Sequence, residues 1–475
     1  METPVICGKN RIMLFNSLQF LLFFAIVTLL YFEIPHRFRW LLLLIASCYF
    51  YMVFVPKYIL ILGFIIIIDY TAGLLIEKQL NINYKKILLF VSLFINIGTL
   101  VLFKYYNFFN QNLTDLLQLG HFANPLPFWK IALPIGLSFH TFQAMSYTIE
   151  VYRGNQKAEK HLGIYALYVM FYPQLVAGPI ERPQNVLHQF RAKHSVDWER
   201  IKSGLGLMLQ GFIKKVVIAD RLAMVVDAAY ADPHGTNGLS LAIATLFYAF
   251  QIYCDFSGYS DIGIGAAKVM GFQLMTNFNA PYLATSVTEF WQKWHISLSS
   301  WFRDYVYIPL GGNRVGIKQW IFNIWIVFII SGLWHGAQWN FLIWGALHGF
   351  YLIMERVLKK VPYLHFIPFV LKRIFVFLLI CTTWIFFRAE TIEKALLILR
   401  KVLIKISIGH PIQSPLNRVE MIFSVGLIVG LLIFEKYNLK IAPNNPFFGF
   451  YFATCVLFCY LFGIFGQTQF IYFQF

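Results

Sequence analysis

Apolar runs of membrane-spanning length recur from one end of this chain to the other. Residues 14–31, 40–55, 58–76 and 87–103 come first. Residues 239–253, 320–330, 341–354, 374–387, 422–434 and 447–465 follow. Crossing a hydrocarbon core takes roughly 20 helical residues. The bilayer offers no water to backbone amides, so only helices or closed barrels persist in it. An all-α, polytopic membrane protein is expected, with about ten to twelve crossings once short or broken helices are allowed for. Composition agrees. Only 13% of the 475 residues are charged and 59% are hydrophobic, where soluble domains carry roughly 25% charged residues.

A net charge of +17 raises the question of nucleic acid. The bases are instead dispersed as loop and helix-end pairs: Arg37/Arg39, Lys85/Lys86, Lys214/Lys215 and Lys359/Lys360. The excess of positive charge on cytoplasmic loops explains that pattern, and the basic stripe of a nucleic-acid binder is missing. Arg37, Arg39, Lys78, Lys85 and Lys86 place the first and third loops in the cytoplasm and the N-terminus outside. The first apolar run lacks a small-residue cleavage site and another span follows at once, so it is expected to be retained. Cys7, Cys48, Cys254, Cys381, Cys455 and Cys459 lie far apart or inside apolar runs, without CxxC or Cys/His zinc spacing. They read as small buried hydrophobes, with Cys455 and Cys459 on one helix face, and no metal is expected.

No long linker or low-complexity tract divides residues 1–475, which read as a single membrane domain. Polar stretches 107–130, 153–161, 183–200, 231–237 and 410–417 read as loops. Two regions fit neither span nor loop. In 133–153, Pro134, Gly136, His140, Gln143 and Glu150 interrupt the apolar character. Region 255–314 is denser still in polar groups. Within it, Ser286-Val287-Thr288-Glu289 has the form of a capping box, so a helix should begin there. That helix would carry Trp291, Trp294, His295, Leu298, Trp301 and Phe302, with charges at Glu289, Lys293, Arg303 and Asp304. It is too polar to face lipid, and an interfacial or re-entrant helix fits better.

One histidine interrupts the apolar pattern where lipid or packed helices belong. Ser331-Gly332-Leu333-Trp334-His335-Gly336 closes the run 320–330. Ionisable groups at membrane depth cost a few kcal/mol or more and usually face a bundle interior or a watery cavity. His335 has two readings: a hydrogen-bonding residue between helices that glycines 332, 336, 345 and 349 let approach, or a general base. His295 would share a helix face with Trp291, Leu298 and Phe302, either as a partner in the site or as a histidine held in an aromatic belt. Asp255 could orient a histidine, pair with Arg303, or cap a helix through Ser257 or Asp261; a supporting role is favoured. Arg303-Asp304 reads as an internal ion pair, and His140 and His348 as packing or hydrogen-bonding residues. No GxSxG elbow, HExxH, P-loop or GxGxxG is present, so serine hydrolysis, zinc chemistry and nucleotide hydrolysis lack support.

These segments resemble the membrane-bound O-acyltransferase family, in its bacterial alginate O-acetylase branch. The resemblance is carried by Glu289-Phe290-Trp291-Gln292-Lys293-Trp294-His295-Ile296-Ser297-Leu298-Ser299-Ser300-Trp301-Phe302-Arg303-Asp304, continuing to Arg314, and by the Ser331–Gly336 histidine motif. Blocks 133–139, 177–180, 384–390 and 470–475 add to it, so it covers essentially the whole chain. The branch opens with a sequence like Met13-Leu14-Phe15-Asn16-Ser17, which leaves residues 1–12 as an N-terminal extension or a misplaced start.

The resemblance implies helices around a central tunnel, with a catalytic core in 133–348. It also implies that His335 is the catalytic histidine and His295 a second histidine along the same passage, with Asp255, Arg303, Asp304 and His348 in support. The implied reaction takes an acetyl group from a cytoplasmic thioester, acetyl-CoA being the expected donor substrate, with no tightly bound cofactor. The acceptor would be a hydroxyl of an extracytoplasmic polysaccharide, an alginate-like exopolysaccharide or peptidoglycan. A separate extracytoplasmic SGNH-type acetyltransferase is the expected partner, and the cytoplasmic (inner) membrane the expected location. D-alanyl or other acyl transfer to an envelope polymer is the rival within the enzyme class. The rival outside it is an acyl or glycan transporter with His335 as proton relay. Transporters often show paired repeats, whereas the histidine motif and the 294–314 block each occur once.

Overall fold

A computed structural model describes residues 13–129, 133–175, 178–359, 366–404, 411–439 and 441–465. Residues 1–12 with Cys7, Lys130, Ala177, Lys360, His410 and the block 470–475 lie outside the described residues. The chain divides into two compact units, Met1–Leu205 with Gly263–Met275, and Gly206–Ile262 with Thr276–Phe475. Among the described residues there are helices and no strands.

The first unit opens with α1 (Leu18–Glu33), α2 (His36–Met52), α3 (Ile59–Lys78), α4 (Ile82–Leu100), α5 (Tyr106–Leu119), α6 (Leu137–Tyr152) and α7 (Leu162–Met170). Single turns α8 (Tyr172–Leu175) and α9 (Pro183–Val186) lead to α10 (Trp198–Phe212). A π-turn over Val101–Tyr105 joins α4 to α5, so the stretch expected to be a loop from residue 107 is helical as far as Leu119. Its asparagines mislead because they bind a returning strap of chain: Asn107 Nδ2 donates to the Trp129 carbonyl at 2.7 Å, and Asn110 Nδ2 to that of Pro127 at 3.1 Å. The polar interruption at 133–153 becomes α6, an interior helix whose residues are nearly all buried.

A π-segment, Ile213–Ala219, leads into α11 (Asp220–Ala231) and α12 (Gly238–Met270). Next come α13 (Val287–Lys293), α14 (Ile296–Phe302), a π-turn over Arg303–Tyr307, α15 (Ile317–His335) and α16 (Trp339–Leu358). α17 (Phe369–Arg388), α18 (Ile392–Ile404), α19 (Arg418–Tyr437) and α20 (Phe448–Phe462) are the remaining helices among the described residues. All ten apolar runs fall on helices. Among the described residues, six helices are long and apolar enough to cross a membrane: Pro56–Lys78, Ile82–Leu119, Gly238–Met270, Ile317–His335, Trp339–Leu358 and Phe369–Arg388. α1 and α20 are apolar but shorter, while α2 and α19 carry charged residues near their ends.

The hairpin of α15 and α16 carries the histidine motif, and two glycines set its spacing. A methyl group added at Gly332 would lie 2.3 Å from the Phe341 carbonyl oxygen, and one at Gly345 2.2 Å from that of Phe328. Backbones this close gain dispersion contacts that larger side chains would prevent. Gly349 does not share this role, since a methyl there would meet nothing nearer than 3.5 Å.

Candidate active site

His335 is the last residue of α15 and is 4% exposed. Its imidazole meets three aromatic rings edge to face: Trp344 at 4.8 Å, Trp334 at 4.9 Å and Phe387 at 5.2 Å between centroids. α16 and α17 supply two of these walls, so the ring plane is fixed from outside its own helix. Asn340 Nδ2 donates to the Ala389 carbonyl at 2.6 Å and pins the start of α16 to the end of α17. The His335 ring lies at the negative, C-terminal end of the α15 dipole.

His295 occupies a break in the chain. The single helix expected from Ser286 is two helices, because Trp294 leaves helical geometry and His295 is left-handed at φ 42, ψ 55. Trp291 and His295 therefore do not share a helical face. The start of α13 is as expected in one respect: Ser286 Oγ accepts the Glu289 amide at 3.0 Å. The reciprocal arm is shifted, since the Glu289 carboxylate accepts from the Thr285 amide and hydroxyl, each at 2.7 Å. Asn277 holds the break, its carbonyl accepting the Ile296 amide at 2.9 Å and its side-chain oxygen the Ser297 hydroxyl at 2.6 Å. A left-handed, bulky, buried residue is a strained conformation that tertiary contacts must maintain, and such strain clusters at functional sites.

The His295 ring packs on Phe256 at 4.6 Å and on Trp334 at 6.0 Å. Trp334 thus touches both His295 and His335. His295 lies outside the six apolar helices, and burial holds its imidazole well below the usual range, at about 3. It is a neutral hydrogen-bonding group near neutral pH.

His348 is fully buried and its nitrogens are already engaged. Trp291 Nε1–H donates to Nδ1 at 3.3 Å. The Thr383 hydroxyl donates to the Ile380 carbonyl at 2.7 Å, so at 3.1 Å it accepts from His348 Nε2–H. Both bonds fit one neutral tautomer, which makes His348 a support for Trp291 and Trp344 rather than a proton carrier. The Trp344 ring lies 4.8 Å from His348 and from His335 alike.

Asp255 forms an ion pair with a lysine. Lys215 from the π-segment reaches Asp255 at 2.6 Å and Asp220 at 2.7 Å, all three side chains being at most 5% exposed. By its spacing Lys215 reads as one of a helix-end pair; the π-segment instead buries it, while Lys214 reaches Asp261 at 2.9 Å. The residue after Asp255 in sequence, Phe256, packs on the His295 ring. Arg303 and Asp304 pair with each other at 2.8 Å as expected, with the Arg303 side chain 63% exposed.

A cavity of about 480 Å³ lies among α13, α14, α15 and α16. Trp291, Phe328 and Ser331 line its apolar reach, and Arg303, Arg356 and Lys359 are also in its lining. Ser331 stands one helical turn before His335. From Trp320 to Ser331 the lining follows α15 for about 16 Å at 1.5 Å per residue. Arg356 is held over the Trp320 ring at 4.1 Å, and Lys359 pairs with Glu355 at 2.7 Å.

The profile of MBOAT, the membrane-bound O-acyltransferase family, matches residues 156–389, a span that contains every residue of this site. The chain is 39% identical over 442 residues to the probable alginate O-acetylase AlgI of Pseudomonas aeruginosa, covering 91% of this chain and 83% of that one. The protein belongs to the membrane-bound O-acyltransferase family. As a member it is a multi-pass membrane enzyme that transfers acyl groups to oxygen. Other relatives in this family are the peptidoglycan O-acetyltransferase of Helicobacter pylori, 36% identical over 75% of this chain and 72% of its own, and the teichoic acid D-alanyltransferase of Bacillus subtilis, 26% identical over 48% and 60%. Sequence reasoning missed Lys215, Asp220, Asn277 and Trp344. A signal existed for Lys215, a cation between Phe212-Ile213 and Val216-Val217-Ile218. Asn277 and Trp344 gave none.

Proposed function

We propose that this O-acyltransferase takes an acetyl group from a cytoplasmic thioester, acetyl-CoA, and passes it towards hydroxyls of an extracytoplasmic polysaccharide of the cell envelope. The cavity beside α15 carries this reading. Its cationic residues Arg356 and Lys359 sit at the end of the α15–α16 hairpin where Arg314 and Lys318 also fall, and such clusters mark the cytoplasmic side. From there the lining climbs to Ser331, one turn short of His335. A phosphorylated thioester donor has the matching chemistry: anionic phosphates for Arg303, Arg356 and Lys359, and a slender neutral arm for the aromatic reach.

His335 acts as general base. The acceptor oxygen attacks the thioester carbonyl carbon while its proton moves to the imidazole, and the carbonyl electron pair becomes an oxyanion. The oxyanion then collapses, the C–S bond breaks, and the departing thiolate takes the proton back from His335. Acetyl is favoured over D-alanyl because the two O-acetylating relatives align over 75% or more of this chain, against 48% for the D-alanyl relative. An alginate-like exopolysaccharide or peptidoglycan is the final acceptor, reached through a separate extracytoplasmic SGNH-type transferase, and the cytoplasmic membrane is the location.

The test is acetyl transfer from labelled acetyl-CoA in inverted membrane vesicles carrying the protein and its partner. Label that moves only when acetyl-CoA is on the cytoplasmic face supports the reading; strict dependence on another acyl thioester would overturn the donor. Removing two of the three rim cations with Arg303→Ala and Arg356→Ala should raise the donor KM by about tenfold or more, as loss of two charge-assisted contacts predicts, while kcat changes little. An unchanged KM would place the donor elsewhere.

A further inference from the structure

Trp344 sits at the centre of the aromatic wall and is fully buried on α16. Its ring lies 4.8 Å from the His335 ring, nearly perpendicular to it at 77°, with Phe387 at 5.4 Å and Trp291 at 5.8 Å. Among the described residues its indole N–H meets no hydrogen-bond acceptor. Three other tryptophans of this unit have an acceptor. Trp291 donates to His348, Trp384 to the Tyr282 hydroxyl at 3.2 Å, and Trp320 to the Tyr307 hydroxyl at 3.0 Å. The nearby imidazole of His348 has both nitrogens committed to Trp291 and Thr383.

Burying a donor without an acceptor costs free energy that a phenylalanine at the same place would not. Unsatisfied buried polar groups are few in native proteins, and each calls for a reason. Here the reason stands beside the base. Acyl transfer at His335 brings an oxygen with growing negative charge into this dry, aromatic surrounding, where a preset donor acts most strongly. We infer that the Trp344 indole N–H donates a hydrogen bond to the carbonyl oxygen of the acyl group and holds it as the oxyanion forms. The inference rests on His335 as the base of acyl transfer. As the acceptor oxygen bonds to the carbonyl carbon and its proton passes to His335, the displaced electron pair settles on the oxygen facing Trp344. When the carbonyl re-forms and the C–S bond breaks, the indole N–H is released unchanged.

The deciding experiment replaces the N–H and nothing else. Trp344 is exchanged for 3-benzothienylalanine, which keeps the bicyclic shape with sulfur in place of N–H, and separately by Trp344→Phe. Reconstituted proteins are compared in acetyl transfer from labelled acetyl-CoA. The expected result is a fall in kcat of about 100-fold, the scale of losing one oxyanion donor, with donor KM within about twofold. The melting temperature of the benzothienylalanine protein should not fall, because the resting enzyme loses no hydrogen bond. A kcat within about threefold of wild type, or a loss of rate that only follows a loss of melting temperature, would overturn the role. Wild-type protein inert towards acetyl-CoA would count against the donor assignment alone. The same comparison is then read as alkali-labile ester on envelope polysaccharide in cells, which requires no donor to be named. Equal ester from wild type and variant would overturn the inference there too.

Discussion

His335→Ala is expected to reduce acyl transfer to background while leaving the protein inserted and folded. A positioned general base contributes about 10²- to 10⁴-fold. On the proposed mechanism alanine removes both the base that receives the acceptor proton and the acid that returns it to the thiolate, so the loss should lie at the upper end. His335→Gln, which fills more of the space among Trp334, Trp344 and Phe387, should be as inactive as alanine. Folding tolerates either change because the hairpin is set by Gly332 against Phe341 and Gly345 against Phe328. Labelled-acetyl transfer in vesicles at equal protein content is the measurement. An alanine variant within about tenfold of wild type would remove His335 from the chemistry.

Lys215→Met acts on the fold instead. The change leaves Asp220 and Asp255 facing each other in a site where Lys215 and Asp220 are 2% exposed and Asp255 5%. Breaking a buried ion pair by removing one partner costs about 3–5 kcal/mol, because the remaining charge stays desolvated. The variant should express poorly and unfold at markedly lower temperature or denaturant concentration in detergent. Neutralising the acids as well, in Lys215→Met with Asp255→Asn and Asp220→Asn, should recover most of that stability. A single variant as stable as wild type would mean that water or a local shift solvates the acids.

The two variants also mark what can be read from the residues alone. The helical architecture and the buried place of His335 are legible because burial in lipid leaves a one-dimensional trace: a long apolar run, and a costly polar group at its end. Lys215 leaves no such trace. As the second of two adjacent lysines it looks like a helix-end pair, and only the π-geometry of residues 213–219 turns it towards Asp255. The break at His295 is hidden for a related reason. Lys293-Trp294-His295 contains no glycine or proline, so periodicity runs straight through it, and contacts from Asn277, remote in register, impose the turn. The asparagines after residue 107 mislead in the opposite sense, because their hydrogen bonds to a returning strap look like loop chemistry when read one residue at a time.

The two half-helices around His295 are seven residues each. Helices shorter than about 12–15 residues are marginal by themselves in water, so α13 and α14 exist only while their neighbours grip them. Regions of that kind open locally at lower free energy than the spans around them. In a detergent micelle, where lateral pressure is relaxed, this segment is expected to fray before the spans around it. The purified enzyme will then fall silent while circular dichroism still reports a full complement of helix, and its working lifetime on the bench is set by fourteen residues rather than by its spans.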